Sequence, residues 1–200
     1  MRPRDDSKRV GLLEATLVEV TEHGFQVASV ARIARRAKVS PATVYIHFTD
    51  KTALLEATFV HVCDRLIDTA LEAFDDEVDL RAGLKAIWRA LFGLALEQPR
   101  LFRFHDAFSH SVWMTEALRE RNDRRLSPLL DVVDQGQRSG VLKPAGRALV
   151  HCFLFLPIYQ LVHGQQCHPF DPSDANIELA FAMAWDAIAA SPEAATQGCR

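Results

Sequence analysis

Apolar residues recur along nearly the whole chain at the period of an α-helix, and no stretch alternates convincingly as a strand would. The first predicted helix runs from about Ser7 to His23, with Val10, Leu13, Leu17 and Val20 on its buried stripe. Residues 1–6 read as a flexible basic arm. Gly24 is expected to stop the helix in a left-handed turn, with Phe25 folding back on its last turn. Thr49-Asp50 caps a long helix from about Lys51 to Phe74, whose inner face is Leu55, Phe59, Val62, Leu66, Ala70 and Phe74. After an acidic link, Asp75 to Asp79, a helix from about Leu80 to Glu97 carries Leu84, Ile87, Leu91 and Leu94 on one face, with Trp88 and Phe92 beside them. Pro99 opens a short aromatic helix through Phe108. Trp113 to Ser139 is predicted as a long helix in which Pro128 causes a kink or a break, with Ser127 as a new cap and Gly140 as the stop. One apolar helix is expected from Pro144 to about Gly164, then a loop from Gln165 to Pro172. Ser173 caps a last helix to about Ala190, striped by Ile177, Ala180, Phe181, Ala184, Trp185 and Ile188. The tail after Pro192 is expected to be disordered. The predicted fold class is all-α, with nine helices.

Between the first and fourth helices lies the most informative stretch, Ser29 to Lys51. Ser29 caps a short helix in which Val30, Ile33, Ala34 and Ala37 share one face. Ser40 then caps a second, and Pro41 sits at its first position, where a missing N–H costs nothing. Pro41, Val44 and Phe48 are expected to face inward, leaving Ala42, Thr43, Tyr45 and His47 outside. That outer set begins small and becomes polar and aromatic. A second helix presented this way fits the major groove of DNA, about 12 Å wide.

The residues from Phe25 to Leu55 carry a resemblance. Gly24-Phe25, Val30 with Ile33-Ala34, Ala37 with Val39-Ser40, Thr43-Val44-Tyr45, His47-Phe48, and Lys51 with Ala53-Leu54-Leu55 closely resemble the N-terminal domain of the TetR family of bacterial repressors. The resemblance is specific over roughly residues 8 to 60 and only architectural beyond. It implies a three-helix DNA-binding domain with a helix-turn-helix at 1–53, and a helical ligand-binding and dimerisation domain at 54–200. It implies recurrent DNA contacts at Thr43, Tyr45, His47 and Lys51. By reach and residue type, Pro41, Ala42 and Thr43 enter the groove first, where base edges and thymine methyls are their natural contacts, and Ser40 with the helix start approaches phosphate. Ser29 and Arg32 are phosphate candidates, or else a cap and a solvated charge. Arg35, Arg36 and Lys38 raise the local potential. Pro41-Ala42 stand where the family often has glycine, lysine or glutamine, so few side chains remain to hydrogen-bond bases, and specificity is expected to lean on apolar contacts, Tyr45 and DNA shape. The helix after the reading helix is expected to carry the signal between head and body.

Charge supports this division. Residues 1–53 hold nine lysines and arginines against six carboxylates, while the remainder holds 14 against 20, so a basic head precedes an acidic body. The family implies an unknown small-molecule effector, and six of the 17 aromatics fall between Trp88 and Trp113: Trp88, Phe92, Phe102, Phe104, Phe108 and Trp113. These, with His105, Tyr159 and His163 as polar points, are the candidate ligand-binding residues, or plain core. Phe153, Leu156, Tyr159, Phe181 and Trp185 are read as a homodimer interface on the two C-terminal helices, which would pair two reading heads on a double-stranded, palindromic operator. Cys63, Cys152, Cys167 and Cys199 lack any CxxC spacing and read as reduced thiols in the cytoplasm. His163, Cys167 and His168 match no closed metal pattern. No metal, cofactor, catalytic residue, signal peptide or membrane span is expected. The resulting expectation is a ligand-responsive repressor. Two rivals remain: a DNA-binding protein whose body docks a protein partner, and a helical enzyme or metal protein.

Overall fold

The structure is a computed structural model that describes residues 3–75, 78–163 and 169–190, with side chains from residue 6. The described residues form ten helical segments in the order α1 Pro3–Val27, α2 Val30–Arg36, α3 Pro41–His47, α4 Lys51–Ala73, α5 Leu80–Glu97, α6 Pro99–Ser109, α7 Glu116–Arg138, α8 Arg147–Leu154, α9 Leu156–His163 and α10 Asp174–Ile188. Among the described residues the only extended pairing is an isolated antiparallel bridge between Leu142 and Ala189. The expected all-α class holds.

The chain divides into two compact units. One comprises Met1–Arg65 with Arg100–Arg121; the other comprises Leu66–Pro99 with Asn122–Arg200. In the first unit, Leu12, Leu13 and Ala15 of α1 meet Ile33 and Ala34 of α2, Val44 of α3, Phe48, and Leu54 of α4 in one apolar core. Val10 is not part of it. It is 44% exposed, because the side chains that cover α1 begin at Leu12. Pro41 is also exposed, so Val44 and Phe48 alone anchor α3 inward. Two threonines inside this core, Thr16 and Thr58, satisfy their hydroxyls by donating to the carbonyls one turn back, Leu12 at 2.7 Å and Leu54 at 2.8 Å.

Two corrections apply to α1. It already starts at Pro3, where a flexible arm was expected. The regular helix is interrupted at Gly24, as expected, by a positive φ of 79° with ψ 163°, a conformation open to almost nothing but glycine, and a further helical turn follows to Val27. The kink turns Phe25 away from the preceding turn and onto α6. Its ring centroid lies 5.7 Å from Phe104, 6.1 Å from Phe108 and 5.0 Å from Trp113.

In the second unit, α5 buries Leu84, Ile87, Trp88, Leu91, Phe92, Leu94 and Ala95, and packs on α9 and α10, while α8 packs on α10 and α9. Lys85 and Arg89 on α5 pair with Glu178 on α10, and Arg89 reaches Asp174 at 3.2 Å. The apolar helix expected over 144–164 is two helices, α8 and α9, broken at Phe155. Pro157 explains the break, since its ring clashes with the carbonyl four residues back and offers no N–H in exchange. Pro128, by contrast, lies inside a helix assigned without interruption from Glu116 to Arg138. The Ser127 hydroxyl donates to the Arg124 carbonyl at 3.0 Å, serving the oxygen that Pro128 leaves without its backbone donor.

Phe181 and Trp185, expected at an interface, are 2% and 8% exposed and belong to the core of the single chain. Phe153 and Leu156 are open at 49% and 37%. The expected tail after Pro192, and Cys167, His168 and Cys199, lie outside the described residues. Cys63 is buried and Cys152 exposed.

Candidate nucleic-acid interface

The interface is built on two short helices and the turn between them. Ser29 Oγ accepts from the Arg32 N–H at 3.3 Å and starts α2. At its other end the Lys38 N–H donates to the Arg35 carbonyl at 3.1 Å and the Val39 N–H to the Ala34 carbonyl at 2.9 Å. This paired closure requires a left-handed residue, here Lys38 at φ 56°. Ser40 Oγ accepts from the Thr43 N–H at 3.2 Å, lies 2.9 Å from the Thr43 hydroxyl, and starts α3. Asp50 caps α4 by accepting from the Ala53 N–H at 2.8 Å.

The candidate residues fall into two groups. Pro41, Ala42 and Tyr45 stand in solvent on α3, with Tyr45 58% exposed. Ser40 is exposed but occupied as a cap, while Ser29, Thr43 and His47 are half-buried. Lys51 is half-buried too, and its Nζ donates to the Phe25 carbonyl at 2.7 Å. Arg32 is held from behind by Glu19 of α1. Arg36 donates to the same carboxylate at 3.1 and 3.2 Å and to Glu22 at 2.6 Å. Arg100 of α6 reaches the other Glu22 oxygen at 3.4 Å.

Glu19 is 2% exposed, and burial pushes its carboxyl up. The hydrogen bonds from Arg32 and Arg36, with their charge, outweigh burial and hold it below the usual carboxylate range. On α1 the Glu14 carboxyl is likewise held down, first by its 2.8 Å hydrogen bond with His61 of α4.

Two residues of this region were absent from the sequence reading. One is Glu19, whose signal is a charge on the same stripe as Leu12 and Thr16, where a carboxylate requires a partner. The other is Ile46, 76% exposed on α3 and one turn beyond Ala42.

The ligand candidates distribute over both units. Phe102, Phe104, His105, Phe108 and Trp113 belong to the first; Trp88, Phe92, Tyr159 and His163 belong to the second. In the first, Phe59 stacks on Phe108 at 4.3 Å and on His105 at 5.6 Å. In the second, Trp88 lies 5.1 Å from Phe92 and 5.9 Å from Phe181. Its indole N–H donates to the Leu154 carbonyl at 2.7 Å, an acceptor made available where α8 stops. Tyr159 and His163 lie 5.0 Å apart.

A capped, exposed seven-residue helix set by a tight turn on a buried two-helix support is a DNA-binding helix-turn-helix module. The chain belongs to the TetR family of bacterial regulatory proteins. Residues 12–58 match "Bacterial regulatory proteins, tetR family", and residues 80–189 match "Tetracyclin repressor-like, C-terminal domain". A TetR family transcription regulator from Marinobacter aquaeolei VT8 is 51% identical, with a TM-score of 0.91 over 96% of this chain and 100% of that one. A second, from Shewanella sp. PV-4, is 27% identical, with a TM-score of 0.77 over 92% and 99% of the two chains. The HTH-type transcriptional regulator BetI of Escherichia coli is 32% identical over a segment that spans 52% of this chain and 64% of BetI's own length. The proteins it matches are transcriptional regulators. No helix among the described residues is long and apolar enough to cross a membrane.

Proposed function

We propose that the protein is a ligand-responsive repressor that binds a palindromic operator as a homodimer in the cytoplasm. The observation that carries this is the outer face of α3. Pro41, Ala42 and Tyr45 are open to solvent, while Val44 and Phe48 fix the helix from beneath. Ala42, Thr43, Tyr45 and His47 enter or border the major groove. Ser29, Arg32, Ser40, Pro41 and Lys51 complete the contact set. Functionally, 1–53 is the reading head and 54–200 the body.

One head makes few contacts, so two are needed, and the second unit has an apolar surface suited to pairing. Leu149 and Phe153 on α8, Leu156 on α9, and Leu179 and Met183 on α10 are 37–67% exposed. Exposed apolar side chains on three helices that pack together are what a pairing face would bury. A small, largely apolar or aromatic effector, bound among the body's aromatic residues, favours a dimer whose heads no longer match adjacent major-groove turns. Release then requires only that the effector bind one arrangement more tightly than the other.

The test is a gel shift with the DNA upstream of the protein's own gene, repeated for Tyr45→Ala and with effectors found by thermal shift. Tyr45→Ala is expected to weaken binding about tenfold or more, the scale of one lost contact worth 1–3 kcal/mol. Unchanged binding by the variant at raised salt removes Tyr45 from the contact set.

A further inference from the structure

The side chains around α3 differ in how much of their chemistry is already engaged inside the protein. The Ser40 and Thr43 hydroxyls meet each other, and Ser40 also caps the helix. Lys51 is turned to the Phe25 carbonyl, and Arg32 and Arg36 to Glu19. What remains outward on the helix is apolar and aromatic. Ala42 and Ile46 are four residues apart, one turn of the same face, and Ile46 is 76% exposed. Pro41, also exposed, lies one turn before Tyr45 on the adjoining face. Among the described residues, the core around α3 does not include Ile46.

An isoleucine this exposed on a DNA-reading helix carries no hydrogen-bonding group, so it cannot distinguish bases by donors and acceptors. It can distinguish them by shape and apolar contact. The one base-edge group in the major groove that rewards apolar contact is the C5-methyl of thymine. The surroundings match a DNA occupant rather than an apolar partner protein. Exposed Arg35 and Lys38 lie just before the helix in sequence, and the first 53 residues are net basic.

We infer that Ile46, with Ala42, is a specificity-determining residue that reads a thymine methyl in each half-site. The inference rests on the proposed operator binding and deepens it. It makes Ile46 a source of sequence preference, where the exposed Arg35 and Lys38 supply affinity to any duplex. Burying one methyl-sized group is worth about 0.8 kcal/mol, so removing the thymine methyl should weaken binding about fourfold per half-site.

The test uses the full-length protein and a random library of duplex DNA. Sequences are selected by binding, and every thymine of the enriched site is then replaced in turn by deoxyuridine, which lacks only the methyl. The expected result is that one thymine per half-site shows the fourfold loss in the native protein and none in Ile46→Ala. Thermal melting should show Ile46→Ala as stable as the parent, since the side chain is exposed. Two results overturn the inference while leaving operator binding intact: a selected site insensitive to deoxyuridine everywhere, or a deoxyuridine effect undiminished in Ile46→Ala. Failure to enrich any sequence brings down operator binding and this inference together.

Discussion

Two helix stops in this chain use the same pair of backbone hydrogen bonds with different residues at the turning point. After α7 the left-handed position is Gly140, with φ 75°. Its N–H donates to Gln137 at 3.1 Å, and the next N–H donates to Gly136 at 3.0 Å. After α2 the same position is Lys38, which has a Cβ and bears the steric cost. Lys38→Gly is therefore expected to stabilise the head by about 0.5–1 kcal/mol. In a thermal melt this is a rise of about 2 °C, while DNA affinity at low salt falls with the lost charge. Glu19 gives a second prediction. Because Arg32 and Arg36 hold its carboxyl below the ordinary glutamate value of about 4.3, the folded protein resists protonating it. Its contribution is full above that value and is lost as pH falls through the lower, folded one. Glu19→Gln should cost about 2 kcal/mol near neutrality, the scale of hydrogen bonds to a charged group. Melts of parent and variant taken from pH 7 down to pH 3 should converge at the acid end; a constant gap would show that the carboxylate's charge is not what matters.

Among the helices, the two internal prolines show how one residue type leads to opposite outcomes. Pro128 is accommodated because Ser127 supplies a hydroxyl to the carbonyl left over. Pro157 has no such neighbour, and the helix is broken at Phe155. The break is then used, since the Leu154 carbonyl at the end of α8 takes the Trp88 indole N–H of α5. Trp88→Phe keeps most of the ring but leaves that buried carbonyl without its donor, and is expected to destabilise the fold by about 1–3 kcal/mol. Urea unfolding with an unchanged slope would measure it. A loss below about 0.5 kcal/mol would show that the carbonyl finds another partner.

For the whole molecule, α4 and α7 each contribute more than one turn to both compact units. In one unit Arg121 of α7 donates to both oxygens of Asp64 on α4, at 2.7 and 2.8 Å. In the other, Arg125 pairs with Asp68, one turn further along both helices. The dimer prediction also belongs to this scale. Phe153→Asp combined with Met183→Asp places charge on side chains that the single chain leaves open, at 49% and 67%. The expected variant is monomeric by light scattering, retains its helical circular dichroism and no longer shifts operator DNA. A variant that stays dimeric would discard this face as the interface.

Much of this was legible from residue order alone. Helix caps and stops are local chemistry, so Ser29, Ser40, Asp50 and Gly140 marked their ends correctly. The inward set of Ile33, Ala34, Val44 and Phe48 followed from helical period, and with it most of the outward set. What the order of residues could not settle were matters decided by a neighbour distant in sequence. Whether Val10 is covered depends on where α2 and α3 lie over α1. Phe181 and Trp185 carry the same apolar signal as Phe153, and only packing against α5 and α8 separates core from open surface. The engagement of Arg32, Arg36 and Lys51 depends on Glu19 and the Phe25 carbonyl, 13 to 26 residues away. Periodicity states which side of a helix is apolar; tertiary contact alone decides which apolar side chains are buried and which charges remain for a partner.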